Sequence, residues 1–177
     1  PSPGRIGRVK YDCKDSPDAS RALAERAPTQ RAVFVDDSMG GSTGIMASAI
    51  ASGLEDEGVP VRIIDIQKNH HSDVMTELAD CGAVIVGSAT HNNNVLPGIA
   101  DVLTYMKGLR PLNRVGAAFG SYGWSGESPK IIQEWLASMN MDMPADPVKC
   151  LFVPKHEGLS QCVALGKTVA EALKAKC

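Results

Sequence analysis

Short apolar segments alternate with amphipathic segments along most of the chain, and this alternation restricts the fold more than any other feature. Residues 83–88, AVIVGS, contain no polar side chain before the final serine. A run of this kind predicts a strand that is buried on both faces, as in parallel sheets that are covered by helices. The sequence therefore predicts an α/β domain built on a parallel sheet.

Five strands and five helices are predicted from residue 31 onward. The predicted strands cover residues 31–35, 60–66, 83–88, 114–121 and 148–154. The predicted helices cover residues 43–57, 71–80, 98–107, 129–140 and 159–174. This order fits a flavodoxin-like doubly wound α/β domain, with a five-stranded parallel sheet and helices on both faces. Ligands of such domains bind beyond the carboxyl ends of the strands, so the loops that follow strands form the candidate site.

Composition indicates one globular domain. The chain has 177 residues, of which 44% are hydrophobic, and its net charge is −2. No apolar run approaches the ~18 residues that span a bilayer, and no charged-then-apolar start typical of a signal peptide is visible. Because no basic cluster is present, nucleic acid is not expected as a partner. The scattered, unpaired spacing of the cysteines is typical of reduced thiols and indicates a cytoplasmic location. The five cysteines are Cys13, Cys81, Cys150, Cys162 and Cys177.

Residues 1–30 differ from the rest because they contain no strand pattern. Ser16 and Pro17 are suited to the start of a helix, and the chain opens with PSPG. We expect residues 1–30 to be a connecting segment, cut from something longer, and residues 31–177 to be the domain.

Loop one, residues 38–43, joins the first predicted strand to the first predicted helix with the sequence SMGGST. Backbone N–H groups at a helix N-terminus bind phosphate. The loop matches neither the Walker sequence nor GxGxxG, and it has no lysine. Its hydroxyl groups therefore favour a monoester phosphate such as that of FMN, although Ser42 and Thr43 also suit an ordinary helix cap.

Loop two, residues 87–98, and loop three, residues 120–128, follow later strands and lie on the same predicted edge. Loop two carries three consecutive asparagines, which hydrogen-bond polar ring edges and tolerate positive φ. Loop three places Tyr122 and Trp124 among glycines, although only 5% of the chain is aromatic. Exposed aromatic side chains offer a stacking surface for a flat ligand. A plain surface turn and a loop aromatic that folds onto the core are the structural alternatives.

The three loops together resemble the flavodoxin-like FMN-binding domain of flavodiiron proteins, also called A-type flavoproteins. The strings that carry the resemblance are DSMGGST, GSATHNNNVLPGIADVLTYMKGLRPLN and AAFGSYGWSGES. It extends from about residue 31 to the end of the chain. By position, the resemblance implies FMN contacts in all three loops. Gly40 and His91 lie inside these loops and are included with the residues carried over by position. The predicted FMN-binding residues are Ser38, Met39, Gly40, Gly41, Ser42, Thr43, Thr90, His91, Asn92, Asn93, Ser121, Tyr122, Gly123 and Trp124.

Three positions depart from the family pattern. Gly40 stands where a bulky residue is usual, Ala89 replaces a proline, and Asp36 replaces a tyrosine. The first change opens one wall of the phosphate end and the second loosens loop two. The third adds a negative charge near the phosphate.

The resemblance also implies a function for the whole protein. Members pair this domain with an N-terminal metallo-β-lactamase-like domain that carries a diiron centre, where O2 is reduced to water or NO to N2O. The implied role of this chain is to pass electrons from a rubredoxin-like or flavin-reductase donor to that diiron centre. We expect no catalytic residue and no complete centre for O2 or NO reduction here. A metal site is not expected either, because the adjacent His70 and His71 diverge on a helix.

Two other functions remain open on sequence grounds. The first is a free-standing flavodoxin or a flavodoxin-type quinone reductase, although soluble carriers of that kind are usually more acidic. The second is a phosphoacceptor signalling module without flavin, in which Asp36 and Asp37 would form the acidic pocket and Lys155 would supply the cation. That module leaves Trp124 and the asparagine run unexplained.

Overall fold

A computed structural model of the chain describes residues 29–177. The predicted connecting segment, residues 1–30, lies outside the described residues except for its last two positions, as does Cys13. No helix in the described part of the chain is long and apolar enough to cross a membrane.

Five parallel strands form one sheet, in the order β2-β1-β3-β4-β5. The strands are β1 (Ala32–Asp37), β2 (Val61–Asp65), β3 (Ala83–Ser88), β4 (Val115–Tyr122) and β5 (Val148–Leu151). The helices are α1 (Ser42–Asp56), α2 (His71–Asp80), α3 (Pro97–Leu109), α4 (Ser128–Ser138) and α5 (His156–Lys176). The prediction of a flavodoxin-like doubly wound fold is confirmed.

The chain runs from β1 outward to β2 and then returns across β1 to β3. The carboxyl ends of β1 and β3, which are neighbours, therefore form the switch point where connections leave to opposite sides of the sheet. One apolar core lies on each face of the sheet. Phe34 and α1 share one core with α5, whereas Val33 and Val35 face the core under α2 and α3.

The predicted fifth strand is too long by three residues. β5 ends at Leu151 because Phe152 adopts a left-handed backbone conformation with φ 53°. Its backbone N–H still donates to the carbonyl oxygen of Tyr122, at 2.7 Å. The apolar pattern continues through Val153 and conceals this break. The last helix begins at His156, before the predicted start at residue 159. Because β5 ends early, the turn that starts at Phe152 also reaches the helix earlier in the chain than predicted.

The cysteines that the structure describes are free thiols. Cys81, Cys150 and Cys162 are buried, and burial raises the pKa of Cys81 and Cys162 to about 12. Such thiols stay protonated at neutral pH and are poor nucleophiles.

Helices α1 and α5 touch through two glycines. A Cβ atom at Gly166 would lie 2.1 Å from the carbonyl oxygen of Ile50, and one at Gly53 would lie 2.3 Å from that of Val163. Neither distance is compatible with a side chain, so the backbones of the two helices are in direct contact. This contact fixes α1, and with it the loop that leads into α1, against the rest of the domain.

We expect Gly166→Ala to lower the free energy of unfolding by about 2 kcal/mol or more, because overpacking forces the helices apart. Urea denaturation followed by circular dichroism measures the loss. Gly108→Ala is the matched control: Gly108 is also helical, but a Cβ atom there meets nothing within 4 Å. This control should keep or raise stability by up to about 1 kcal/mol. Wild-type stability of Gly166→Ala would contradict the close helix contact.

Candidate functional site

Loops one, two and three meet at the carboxyl ends of β1, β3 and β4, an edge that we call the carboxyl rim. A cavity of about 200 Å³ lies between them. The lining residues are Met39, Gly40, Ser42, Ala89, Thr90, Ser121, Tyr122, Gly123 and Phe152. The prediction that loops distant in sequence share one site therefore agrees with their placement.

Loop one ends in a helix start that no side chain caps. Gly41 is the N-cap residue of α1, with φ 82°, and no side-chain hydrogen bond caps the helix. Ser38 instead stabilises the loop itself, since its Oγ accepts a hydrogen bond from the Gly41 N–H at 2.8 Å. The first N–H groups of a helix have no acceptor within it. They are therefore suited to bind an anion, and no acidic side chain lies in the first turn of α1.

Thr43 has a different position from the rest of loop one. Its side chain is fully buried, and its hydroxyl shares a 3.0 Å hydrogen bond with the hydroxyl of Ser121. This bond connects the start of α1 to the end of β4. The Thr43 side chain therefore orients the loop. Because its hydroxyl is bonded to Ser121, the Thr43 backbone N–H is the group that is suited to an anion.

Loop two is held by hydrogen bonds at its start and at its turn. The Thr90 N–H donates to the carbonyl oxygen of Ser121 at 2.9 Å, and the Thr90 hydroxyl lies 2.9 Å from that of Ser128. His91 and Asn94 then bond to each other's backbone in both directions, at 3.0 and 2.9 Å.

Asn92 and Asn93 form the tip of this turn, with φ 49° and 56°. Their left-handed backbone is the conformation expected of asparagine. Asn93 also connects loop two to loop three, because its Oδ1 accepts a hydrogen bond from the Ser125 hydroxyl at 3.1 Å. The tip is exposed, as is His91, so these side chains border the cavity region without lining it.

Two aromatic side chains, Tyr122 and Phe152, line the cavity, and Trp124 follows in loop three. Trp124 is 95% exposed, so the alternative in which it folds onto the core is wrong. Tyr122 is half-buried, and the ammonium of Lys149 lies 5.9 Å from its ring centroid. Phe152 is 63% exposed, lines the cavity, and lies beside Gly123, where a Cβ atom would be 3.3 Å from its ring.

Phe152 is the lining residue that sequence reasoning missed, together with Ala89. The predicted fifth strand included Phe152, so this residue was assigned to the sheet and not to the site. The sequence offered no signal for the end of this strand, because Phe152 and Val153 continue its apolar pattern.

Seven of the predicted residues line the cavity and seven do not. Those in the lining are Met39, Gly40, Ser42, Thr90, Ser121, Tyr122 and Gly123. Ser38, Gly41 and Thr43 build loop one around it, His91, Asn92 and Asn93 form the exposed turn of loop two, and Trp124 extends from loop three into solvent.

Two acids lie beneath loop one at the end of β1. Asp37 accepts a 2.7 Å hydrogen bond from the amide of Gln67, which also donates to the carbonyl oxygen of Ser38 at 2.9 Å. Burial, and then the charges of Asp65 and Asp37, raise the pKa of Asp36 to about 6, while Lys68 lowers it. The protonation of Asp36 therefore changes close to neutral pH.

These contacts disfavour the signalling alternative. Its cation, Lys155, precedes α5 and forms no ion pair with Asp36 or Asp37 in the part of the chain that the structure describes. The cation that acts on Asp36 is Lys68. Asp37 is occupied by Gln67.

The prediction that His70 and His71 diverge on a helix is wrong, because His70 is the N-cap residue of α2 and the two ring centroids lie 3.9 Å apart. No group of three potential metal ligands converges among residues 29–177. His71 hydrogen-bonds Asp101 at 2.8 Å through Nδ1, and its ring stacks on Tyr105.

Comparison with known proteins agrees with this geometry. The sequence profile of the flavodoxin family matches residues 35–166. The chain is 48% identical to the rubredoxin-oxygen oxidoreductase of Megalodesulfovibrio gigas over 99% of this chain and 44% of that protein. It is 39% identical to the nitric oxide reductase of Moorella thermoacetica over 83% of this chain and 37% of that protein. A solved archaeal flavodoxin superposes with a TM-score of 0.73 and 34% identity, over 81% of this chain and 99% of the flavodoxin.

The chain thus spans less than half the length of the two reductases that it resembles. It spans nearly all of the flavodoxin. The similarity to the first of the longer proteins extends over nearly the whole chain, including residues that the structure does not describe.

Proposed function

The chain belongs to the flavodoxin family, and from this membership and the carboxyl rim we propose that it is the FMN-binding electron-transfer domain of a flavodiiron-type O2 or NO reductase. FMN is the cofactor of the family. The observation that carries the proposal is the single cavity that loops one, two and three line together.

The residues present fit FMN. The uncapped start of α1 and the Ser42 hydroxyl provide hydrogen-bond donors for a phosphate. Tyr122 and Phe152 provide aromatic surface at the cavity, and Trp124 provides more at its edge. FMN, when bound, supplies one- and two-electron transfer, whereas the protein binds and orients it and adjusts its potential.

The residues of loops two and three have distinct tasks in this proposal. The backbone of Thr90 to Asn93 would hold the polar edge of the flavin ring, and Asn93 holds loop three in place through Ser125. Trp124 or Tyr122 would provide the aromatic surface for the ring. The hydroxyl pairs Thr43–Ser121 and Thr90–Ser128 hold the loops together, so the polar part of the site is organised within the chain itself.

The electron partners are also proposed. Electrons come from a rubredoxin-like or flavin-reductase donor and pass to a diiron centre on a metallo-β-lactamase-like domain. Similarity to an oxygen-reducing and a nitric oxide-reducing protein supports this reading, as does the short span of this chain relative to both. We place the protein in the cytoplasm on the basis of its cysteines.

A free-standing flavodoxin is the second candidate, and one observation favours it: the chain covers 99% of an archaeal flavodoxin. Both candidates require FMN at the carboxyl rim. They differ in the acceptor, because a flavodoxin exchanges electrons with soluble carriers and needs no diiron domain.

The first test is the identity of the cofactor. We expect the purified chain to take up one FMN and no FAD, because loop one provides for one terminal phosphate and no GxGxxG sequence is present. Flavin is released by denaturation and identified by chromatography. Recovery of FAD, or failure to bind either flavin, would overturn the proposal.

A second test concerns Trp124, one of two tryptophans in the chain. We expect Trp124→Ala to weaken FMN binding by roughly 1–3 kcal/mol, as aromatic truncations at binding hot spots do. Trp135→Phe is the control, because Trp135 lies on α4 and should leave the affinity unchanged. In that variant Trp124 is the only tryptophan, so FMN should quench most of its fluorescence. An unchanged dissociation constant and flavin potential in Trp124→Ala would contradict the role of Trp124.

A third test separates this chain from the complete reductase. We expect the FMN-loaded chain to accept electrons from a donor but to hold no stoichiometric iron and to consume neither O2 nor NO by a metal-dependent route. A non-heme diiron centre needs several converging histidines and carboxylates, and residues 29–177 bring no three ligands together. Elemental analysis and an NO electrode measure this. Stoichiometric iron, with NO consumption that a chelator abolishes, would refute the assignment.

A further inference from the structure

We propose that Asp36 makes FMN binding by this chain proton-linked, so that the phosphate dianion binds together with uptake of a proton by the Asp36 carboxyl. The inference rests on the proposed binding of FMN at loop one. It concerns a residue that does not line the cavity and that acts on the ligand through charge alone.

The position of the carboxyl carries the argument. Asp36 is the second-last residue of β1 and is 6% exposed. A Cβ atom at Gly44 would lie 4.0 Å from the Asp36 Oδ2 atom. Gly44 is the third residue of α1, so the carboxyl lies against the helix turn whose N–H groups face the proposed phosphate. A single helix turn thus has a buried carboxyl on one side and the anion site on the other.

The surroundings of Asp36 offer little compensation for its charge. Asp65 is its partner in the β1–β2 register, and Asp37 follows it in the chain. Lys68 is the cation that acts on it, but Lys68 pairs with Asp65 at 2.9 Å. On the other sides, its β3 partner is Gly87, and the first two turns of α1 contain no charged residue. Burial and the two neighbouring acids raise the pKa of Asp36 to about 6.

The sign of the linkage follows from these charges. A phosphate monoester carries nearly two negative charges at pH 7, with a second pKa of about 6. When the dianion binds, its repulsion raises the pKa of Asp36 further. A group whose pKa rises on binding takes up a proton. The contribution of Asp36 protonation to FMN affinity is therefore fully present below the pKa that Asp36 has in the free protein. The contribution is lost as the pH rises through the higher pKa of the complex. Riboflavin lacks the phosphate and should show no such effect.

The test compares FMN with riboflavin in Asp36→Asn. We expect the variant to bind FMN on the order of tenfold more tightly than the wild type at pH 8, from loss of the repulsion, and about equally at pH 5. The affinity for riboflavin should change by less than about twofold at either pH, because no dianion is present. The titration of FMN itself is common to both proteins and cancels in the ratio. Flavin fluorescence gives each dissociation constant.

Glu57→Gln is the matched control. It also removes one carboxylate, but at the opposite end of α1, where Glu57 pairs with Lys174 at 2.9 Å. This variant should bind FMN as the wild type does at both pH values. An equal gain in Glu57→Gln would mean that net charge explains the effect, which would overturn the role of Asp36.

Calorimetry of the wild type provides a measurement that needs no variant. Titration with FMN near pH 7.5 in two buffers of different ionisation enthalpy should show net proton uptake, whereas riboflavin should show none. No proton uptake with FMN, or an equal response of both flavins to Asp36→Asn, would overturn the inference while leaving FMN binding intact. Failure of the wild type to bind either flavin would instead overturn the proposed function, and this inference with it.

Discussion

The burial of β1 on both faces, with hydrogen bonds to neighbours on both edges, is the constraint on which the rest of the structure depends. Its first four residues contact apolar cores above and below the sheet, and it pairs with β2 on one side and β3 on the other. No polar side chain can be accommodated along such a strand without a partner. The first polar residues therefore appear at its carboxyl end, where the sheet opens to loop one. Asp36 and Asp37 are still buried there, and loop one begins directly after them.

That constraint also explains why small residues dominate the carboxyl rim. Three loops have to approach one another closely above the adjacent strands β1, β3 and β4, and bulky side chains would separate them. A Cβ atom at Gly120 would lie 2.2 Å from the carbonyl oxygen of Ser88. The hydroxyls of Thr43 and Ser121 meet within the same confined region. The polar half of the site is thus formed by the fold, while the aromatic half, with Trp124 and Phe152, remains exposed and open to a ligand.

Hydrophobic periodicity was sufficient to predict the sheet, because each interior strand of this domain is a continuous apolar run. The same criterion failed at β5. Phe152 and Val153 extend the apolar pattern, but the left-handed backbone at Phe152 directs the chain away from the sheet. An apolar side chain in a turn that lines a cavity cannot be distinguished by period from one in a strand. The sequence likewise placed Thr43 at the start of the first helix, but the direction of its hydroxyl, toward Ser121, depends on a contact between residues far apart in the chain.

The two acids at the end of β1 differ in role: one serves the fold, and the other would affect a ligand. Asp37 has a structural role, because Gln67 joins its carboxylate to the backbone of loop one. Asp36 lies on the other face of the strand, where α1 covers it and the neighbouring charge is mostly of the same sign. Alternation along a strand sends adjacent side chains to opposite faces, so two identical residues here experience different fields. Position along β1 alone cannot separate their roles. Their contacts do so, because Gln67 bonds to Asp37 whereas Asp36 lies against the first turn of α1, the turn that would bind an anion.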